Sequence, residues 1–113
     1  MLQIIEEKTS VQGGGGIRGT YEKYSELIEA IIKKQIMIIG ATMVLEAGQK
    51  LKELQVKNDG SVGAISGDPK KLLVDLVDLF RDLYGNFGEI SCKKAAKEII
   101  EKYPDLEVPN KLR

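Results

Sequence analysis

Residues 67–86, GDPKKLLVDLVDLFRDLYGN, carry the clearest structural signal of this 113-residue chain. Asp68 is a favoured N-cap residue, and Pro69 follows at the first helical position, where its missing N–H costs no hydrogen bond. Gly85 comes directly after the pattern and suits a left-handed helix end. The stretch therefore predicts an amphipathic helix with both ends marked. Its apolar stripe consists of Leu72, Leu73, Leu76, Val77, Phe80, Leu83 and Tyr84.

A second helix is predicted directly after it, over residues 88–102, where Pro104 prevents further continuation. The tail beyond is expected to be extended, with Leu106 and Val108 attached to the body of the protein. The apolar positions expected to be buried along this helix are Ile90, Cys92, Ala95, Ala96, Ile99 and Ile100.

Upstream of residue 67, a β-hairpin is predicted, with strands near 54–57 and 61–66. The turn signal is Asn58-Asp59-Gly60, which separates two short apolar runs. An isolated two-stranded hairpin is marginally stable in water. It must therefore pack on the helices, pair with the N-terminal arm, or pair with another chain.

The first half of the chain predicts another pair of helices, beginning at Thr20 as N-cap. Apolar residues recur at steps of three and four and continue to Leu54, which as one helix would be ~52 Å long at 1.5 Å per residue. We expect a break near Gly40. The repeating positions of the first helix are Tyr21, Tyr24, Leu27, Ile28, Ile31 and Ile32.

Placing Gly40 on Gly85 aligns the apolar positions of the two halves, for example Leu27 with Leu72. The alignment reflects either a true internal repeat or a coincidence, because the apolar positions of any two amphipathic helix pairs can be brought into register. Both interpretations make the two glycines helix boundaries. The prediction is a predominantly helical α+β fold of four helical segments, helix–glycine–helix twice, with a central β-hairpin. It forms a single domain, 1–113, in which residues 1–19 are a flexible or strand-forming arm.

Composition excludes several functions. Lysine plus arginine and aspartate plus glutamate each number 17, and this neutral balance argues against general nucleic-acid binding. Without histidine and with one cysteine, the chain lacks the commonest general base, an internal disulfide and a cysteine-based zinc site. We therefore expect no enzyme, metal or cofactor. Because the N-terminus lacks a signal-peptide pattern and the apolar run 36–45 is too short to cross a bilayer, we expect a cytoplasmic protein with no membrane contact.

The glycine run in residues 11–21, VQGGGGIRGTY, resembles a phosphate-binding loop in its spacing only. Gly14 and Gly19 have the spacing of a P-loop, but Thr20 occupies the position of the essential lysine. We interpret residues 13–19 as a joint between the arm and the first helix. The alternative is an anion or small-ligand site, because backbone amides and Arg18 would meet at a helix N-terminus. Its residues would be Gly14, Gly15, Gly16, Arg18, Gly19 and Thr20.

The segment 36–47 is apolar on nearly every side, so it is expected to be buried in the core or in a subunit interface. We expect a small regulatory or adaptor module that acts through homodimerisation and binding of a protein partner. One alternative is a ligand-binding domain that uses the loop Gly13–Gly19. A weaker alternative is a nucleic-acid-binding accessory protein that uses the lysines of the last helix. The predicted interface residues are Ile36, Ile38, Ile39 and Met43.

Overall fold

The computed structural model describes the backbone of residues 15–112 and the side chains of residues 20–112. The predominantly helical α+β fold is confirmed. In chain order the elements are α1 (Gly15–Ile39), α2 (Ala41–Gly48), β1 (Leu54–Val56), β2 (Val62–Ile65), α3 (Pro69–Tyr84), α4 (Asn86–Lys102) and a 3-10 helix (Asn110–Leu112).

The break at Gly40 is confirmed, because α1 ends at Ile39 and Gly40 has a φ of 95°. That backbone conformation is rare for residues with a Cβ atom, which explains why a glycine separates two otherwise continuous apolar segments. Two boundaries differ from the prediction. The first helix begins at Gly15, so Thr20 is an interior residue and the prediction that it is the N-cap is wrong. The second helix ends at Gly48, before Leu54, which lies in β1.

The β-hairpin is confirmed as an antiparallel pair with Leu54 opposite Ile65 and Val56 opposite Val62. The Asp59 carboxylate accepts a hydrogen bond of 2.9 Å from the backbone N–H of Ser61, which stabilises the turn. The Glu29 carboxylate on α1 accepts a hydrogen bond of 2.9 Å from the backbone N–H of Val62. The β-hairpin therefore packs on the helices, which was one of the three arrangements predicted for it.

Helices α3 and α4 form a helical hairpin about Gly85, whose φ is 66°. Asp68 caps α3 as predicted, because its carboxylate accepts a hydrogen bond of 2.9 Å from the backbone N–H of Lys70. Helix α4 begins at Asn86, two residues earlier than predicted. The helices approach closely at Gly88, where an added Cβ would lie 2.2 Å from the Phe80 carbonyl oxygen. A glycine is therefore required at this helix crossing.

The core lies between α1, α3 and α4, and the C-terminal segment covers one side of it. Leu106 and Val108 are buried as predicted, and Leu112 joins them from the 3-10 helix. The Tyr24 hydroxyl donates a hydrogen bond of 2.5 Å to the Glu107 carbonyl oxygen, and Lys70 pairs with the Glu107 carboxylate at 2.7 Å. These contacts attach the tail to both α1 and α3. The largest fully buried side chains include Leu27, Ile28, Ile31, Leu72, Leu73, Leu76, Val77 and Phe80.

Candidate interaction surface

Two helix corners, at Gly40 and Gly85, lie at the same end of the molecule. Helices α1 and α4 run antiparallel, since Glu26 in α1 contacts Lys102 in α4 and Gln35 contacts Ser91. Gly40 lies five residues beyond Gln35, and Gly85 lies six residues before Ser91. At 1.5 Å per residue, each corner lies roughly 8 Å past the Gln35–Ser91 contact, in the same direction.

A group of exposed apolar side chains surrounds these corners. Among the described residues, seven large apolar side chains are exposed, and all except Tyr21 lie within five residues of a corner. Met37 is 80% exposed and Phe87 is 55% exposed. Such concentration at one end is unlike the scattered exposure that is normal on a protein surface. We name these six residues the corner cluster: Met37, Ile38, Met43, Leu83, Phe87 and Ile90.

The predicted interface residues separate into two pairs. Ile38 and Met43 are exposed members of the corner cluster, whereas Ile36 and Ile39 are half-buried against the core. The prediction that the segment 36–47 is completely buried in the core is wrong, because Met37 also faces solvent. Its alternative, burial in a subunit interface, stays a prediction.

The exposed apolar residues at the second corner, around Gly85, were not predicted from the sequence. Burial of Ile90 was predicted, but it is 51% exposed, and Leu83, placed on the apolar stripe, is 42% exposed. Ile90 is adjacent to Ser91, which contacts Gln35 in α1, but successive residues of a helix face directions about 100° apart, so α1 does not cover Ile90. Phe87 was the available signal, because a phenylalanine two residues after a helix-ending glycine has few core neighbours.

A second surface feature is a groove of about 680 Å³ between α4 and the C-terminal 3-10 helix. Its apolar floor includes Ile90, Ile100 and Leu112. Of the four lysines on α4, Lys93, Lys94 and Lys97 line this groove. The fourth, Lys102, lies away from it and pairs with Glu26 at 2.8 Å. We call this feature the lysine-rimmed groove. Its charged residues are Lys93, Lys94, Lys97 and Glu101.

The proposed anion site lies mostly where side chains are not described. Gly14 lies outside the described residues, and Gly15–Gly19 form the first residues of α1. The side chain of Arg18 is likewise outside the described part, and Thr20 is exposed. An anion-binding role for these residues therefore stays a prediction.

Two aspartates of α3 form ion pairs, and the single cysteine is buried. Asp75 lies 3.6 Å from Lys71, and Asp78 pairs with Lys111. Within residues 15–112, no group of three histidine, cysteine, aspartate or glutamate side chains is arranged to hold a metal ion. Cys92 is fully buried, as its apolar position predicted, and burial, with a smaller contribution from Glu89, raises the pKa of its thiol to about 12. The thiol is therefore protonated at neutral pH.

A scan against protein-family models, a search of curated proteins and a search of solved structures found no match to this chain. No helix in the described part of the chain has the length and apolar character that a bilayer span requires.

Proposed function

We propose that this protein is a non-enzymatic association module that forms a homodimer through the corner cluster. The observation that carries this proposal is the position of six of the seven exposed large apolar side chains at one end of the described structure. Apolar surface of this kind is typical of interaction sites. The role that the dimer serves is regulatory or adaptor-like in this proposal, with a protein partner as its target.

The charges beside the cluster support a second copy as its occupant. Arg81 and Glu89 lie at the α3–α4 corner and pair with each other at 3.7 Å. A twofold interface brings the same surface patch of both copies together, so unpaired charges of one sign would repel. This pair contributes no net charge and the whole chain is neutral, which favours association, whereas Lys34 and Lys94 beside Met37 oppose it.

The energy available is of the right order for a moderate dimer. Burying the exposed part of each cluster side chain contributes about 1 kcal/mol, so two copies together gain about 12 kcal/mol. Association costs an estimated 4–15 kcal/mol in lost freedom of motion, so at the lower end of that range the net gain is about 8 kcal/mol, which corresponds to micromolar affinity, and a higher cost gives a weaker dimer. This predicts a dimer whose population changes with protein concentration.

Light scattering after size-exclusion chromatography tests the proposal with the full chain. We expect the measured mass to rise towards that of a dimer between about 1 µM and about 500 µM. Phe87→Glu should shift the chain to monomer over this range, because both copies would bury a charge. Met37→Glu should do the same from the other corner.

Tyr21→Glu is the matched control, because Tyr21 is the exposed apolar residue that lies away from the corners. It should leave dimer formation unchanged. Circular dichroism verifies that each variant is folded. A wild-type chain that stays monomeric at the highest concentration would refute the proposal, as would a dimer that persists in both corner variants.

A further inference from the structure

We propose that the lysine-rimmed groove binds an acidic amphipathic helix of a partner protein. This proposal concerns the outer face of α4 and the C-terminal segment, whereas dimerisation concerns the corners. Ile90 belongs to both features, and Met37 of the corner cluster also lines a smaller groove beside the lysine-rimmed groove. The two proposals therefore stand on different observations and have separate tests.

The walls of the groove are held in place by contacts elsewhere in the chain. Leu112 is buried in the core, and Lys111 beside it pairs with Asp78 on α3. Further upstream, Glu107 is attached to both Tyr24 and Lys70. The C-terminal segment is thus fixed against the helices, so a partner does not have to order this wall on binding. A preformed groove lowers the entropic cost of association.

The electrostatic character of the groove selects an acidic partner. In the described part of the chain, Lys93, Lys94 and Lys97 have no carboxylate within the 4.0 Å of an ion pair, and Glu101 is the single acidic residue of the groove. Six other cations of the described residues do form ion pairs, whereas the neighbouring Lys34, like the groove lysines, forms none. Lys33, Lys70, Lys71, Arg81, Lys102 and Lys111 each pair with a carboxylate.

Positive charge extends onto the neighbouring helix, which enlarges the complementary surface. Lys94 also lines a smaller groove between α1 and α4, where the other charged side chains are Lys34, Lys33, which pairs with Glu29, and the carboxylate of Glu98. Met37 and Ala95 supply apolar contact there. Acidic side chains on both flanks of a bound helix would therefore find lysines.

The apolar floor favours a helix over a nucleic acid. Ile90 and Ile100, which both line the groove, are ten residues apart on α4 and so lie about 15 Å apart along its axis, nearly three helical turns. An amphipathic helix presents apolar residues at i, i+3, i+4 and i+7 to such a groove. Single-stranded nucleic acid needs aromatic stacking platforms, and no aromatic side chain lines the groove.

The probe is a labelled synthetic helical peptide of about four turns, with leucine on one face and glutamate on its flanks. Its control is a peptide of identical composition in scrambled order, which retains the charge but loses the apolar face. Fluorescence anisotropy with the full chain measures both. We expect binding with Kd of about 10–100 µM, weakened by added salt, and at least about tenfold weaker binding of the scrambled peptide.

The decisive variant is Lys93→Glu/Lys97→Glu, compared with Lys50→Glu/Lys52→Glu, which makes the same change in net charge outside the groove. We expect the first to weaken peptide binding by about tenfold or more and the second to leave it unchanged. Equal loss in both variants would contradict the proposal, because long-range attraction alone would then explain binding. Equal binding of the two peptides, or none at about 1 mM, would also contradict it.

An oligothymidine of matched length distinguishes the nucleic-acid alternative. If it binds the groove more tightly than the peptide and loses affinity in Lys93→Glu/Lys97→Glu, the groove is a nucleic-acid site and the proposal is wrong. The Phe87→Glu variant keeps the two proposals distinguishable. It should bind the peptide normally even though it no longer dimerises.

Discussion

The side-chain amide of Gln35 in α1 donates a hydrogen bond of 2.7 Å to the Ser91 hydroxyl in α4, and both residues are buried. Ser91 in turn donates a hydrogen bond of 3.0 Å to the carbonyl oxygen of Gly88. The Cys92 sulfur lies 3.7 Å from the same amide nitrogen. This polar chain crosses the α1–α4 contact immediately below the two corners. It therefore helps to determine how the surfaces at the corners are positioned.

Removing either Gln35 or Ser91 alone should lower the stability of the fold more than removing both side chains together. Ser91→Ala leaves the buried Gln35 amide without its strongest acceptor, and we expect it to lower the free energy of unfolding by about 1–3 kcal/mol. Adding Gln35→Leu should recover part of this loss, because the unsatisfied amide is then absent. Chemical denaturation of the two single variants and the double variant measures the coupling. Losses that simply add would show that the hydrogen bond contributes little.

Gly88→Ala should be among the most destabilising small substitutions in the described part of the chain. The new Cβ would lie 2.2 Å from the Phe80 carbonyl oxygen and 2.6 Å from its carbon, so backbone must move. We expect a loss of about 3 kcal/mol, since overpacked sites of this kind relax poorly. Gly63→Ala is the control, because its nearest neighbour atoms are 3.6 Å away. In thermal unfolding, the melting temperature of Gly63→Ala should be close to that of wild type. A similar loss of stability in both variants would argue against the close helix crossing.

Glu26 should contribute a measurable part of the acid sensitivity of the fold. Hydrogen bonds, first from Lys102 and then from Tyr103, lower the pKa of its carboxyl group below the ordinary value of 4.5. A lowered folded-state pKa means that the carboxylate stabilises the fold above the unfolded-state pKa, and that this stabilisation is lost as the pH falls through the folded-state value. The chain should therefore lose stability below about pH 4.5.

Glu26→Gln tests this dependence, because the amide retains the shape of the side chain but does not titrate. We expect its unfolding free energy to fall less steeply than that of wild type as the pH is lowered through this range. Glu22→Gln, at an exposed position in the same helix, should retain the wild-type slope. Identical slopes in all three proteins would mean that the Glu26 contacts do not form in solution.

Much of the fold could be predicted because its signals are local. Asp68, Pro69 and Gly85 define the ends of α3 through the backbone groups that each can or cannot supply. The turn at Asn58–Gly60 gave the hairpin for the same reason. By contrast, the start of α1 at Gly15 was missed, because glycine has a low intrinsic preference for helix and the run was interpreted as a joint.

The candidate surfaces were harder to predict, because exposure depends on which elements meet. Ile90 and Leu83 follow a helical apolar pattern that is indistinguishable from the pattern of a core residue. Whether such a residue is covered depends on where α3 and α4 cross. The lysines of α4 were visible in the sequence, but the Leu112 floor beside them depends on the path of the C-terminal segment.

Local sequence signals were enough to predict the fold class, the helix boundary at Gly40, both ends of α3 and the position of the hairpin. These features depend on backbone conformation and on the periodicity of neighbouring residues, which act over a few positions in the chain. The packing of the helices places both corners at one end, brings Gln35 into contact with Ser91, and forms the apolar groove that three lysines border. Each of these depends on contacts between residues far apart in sequence, and the geometry of those contacts is fixed only when the helices pack.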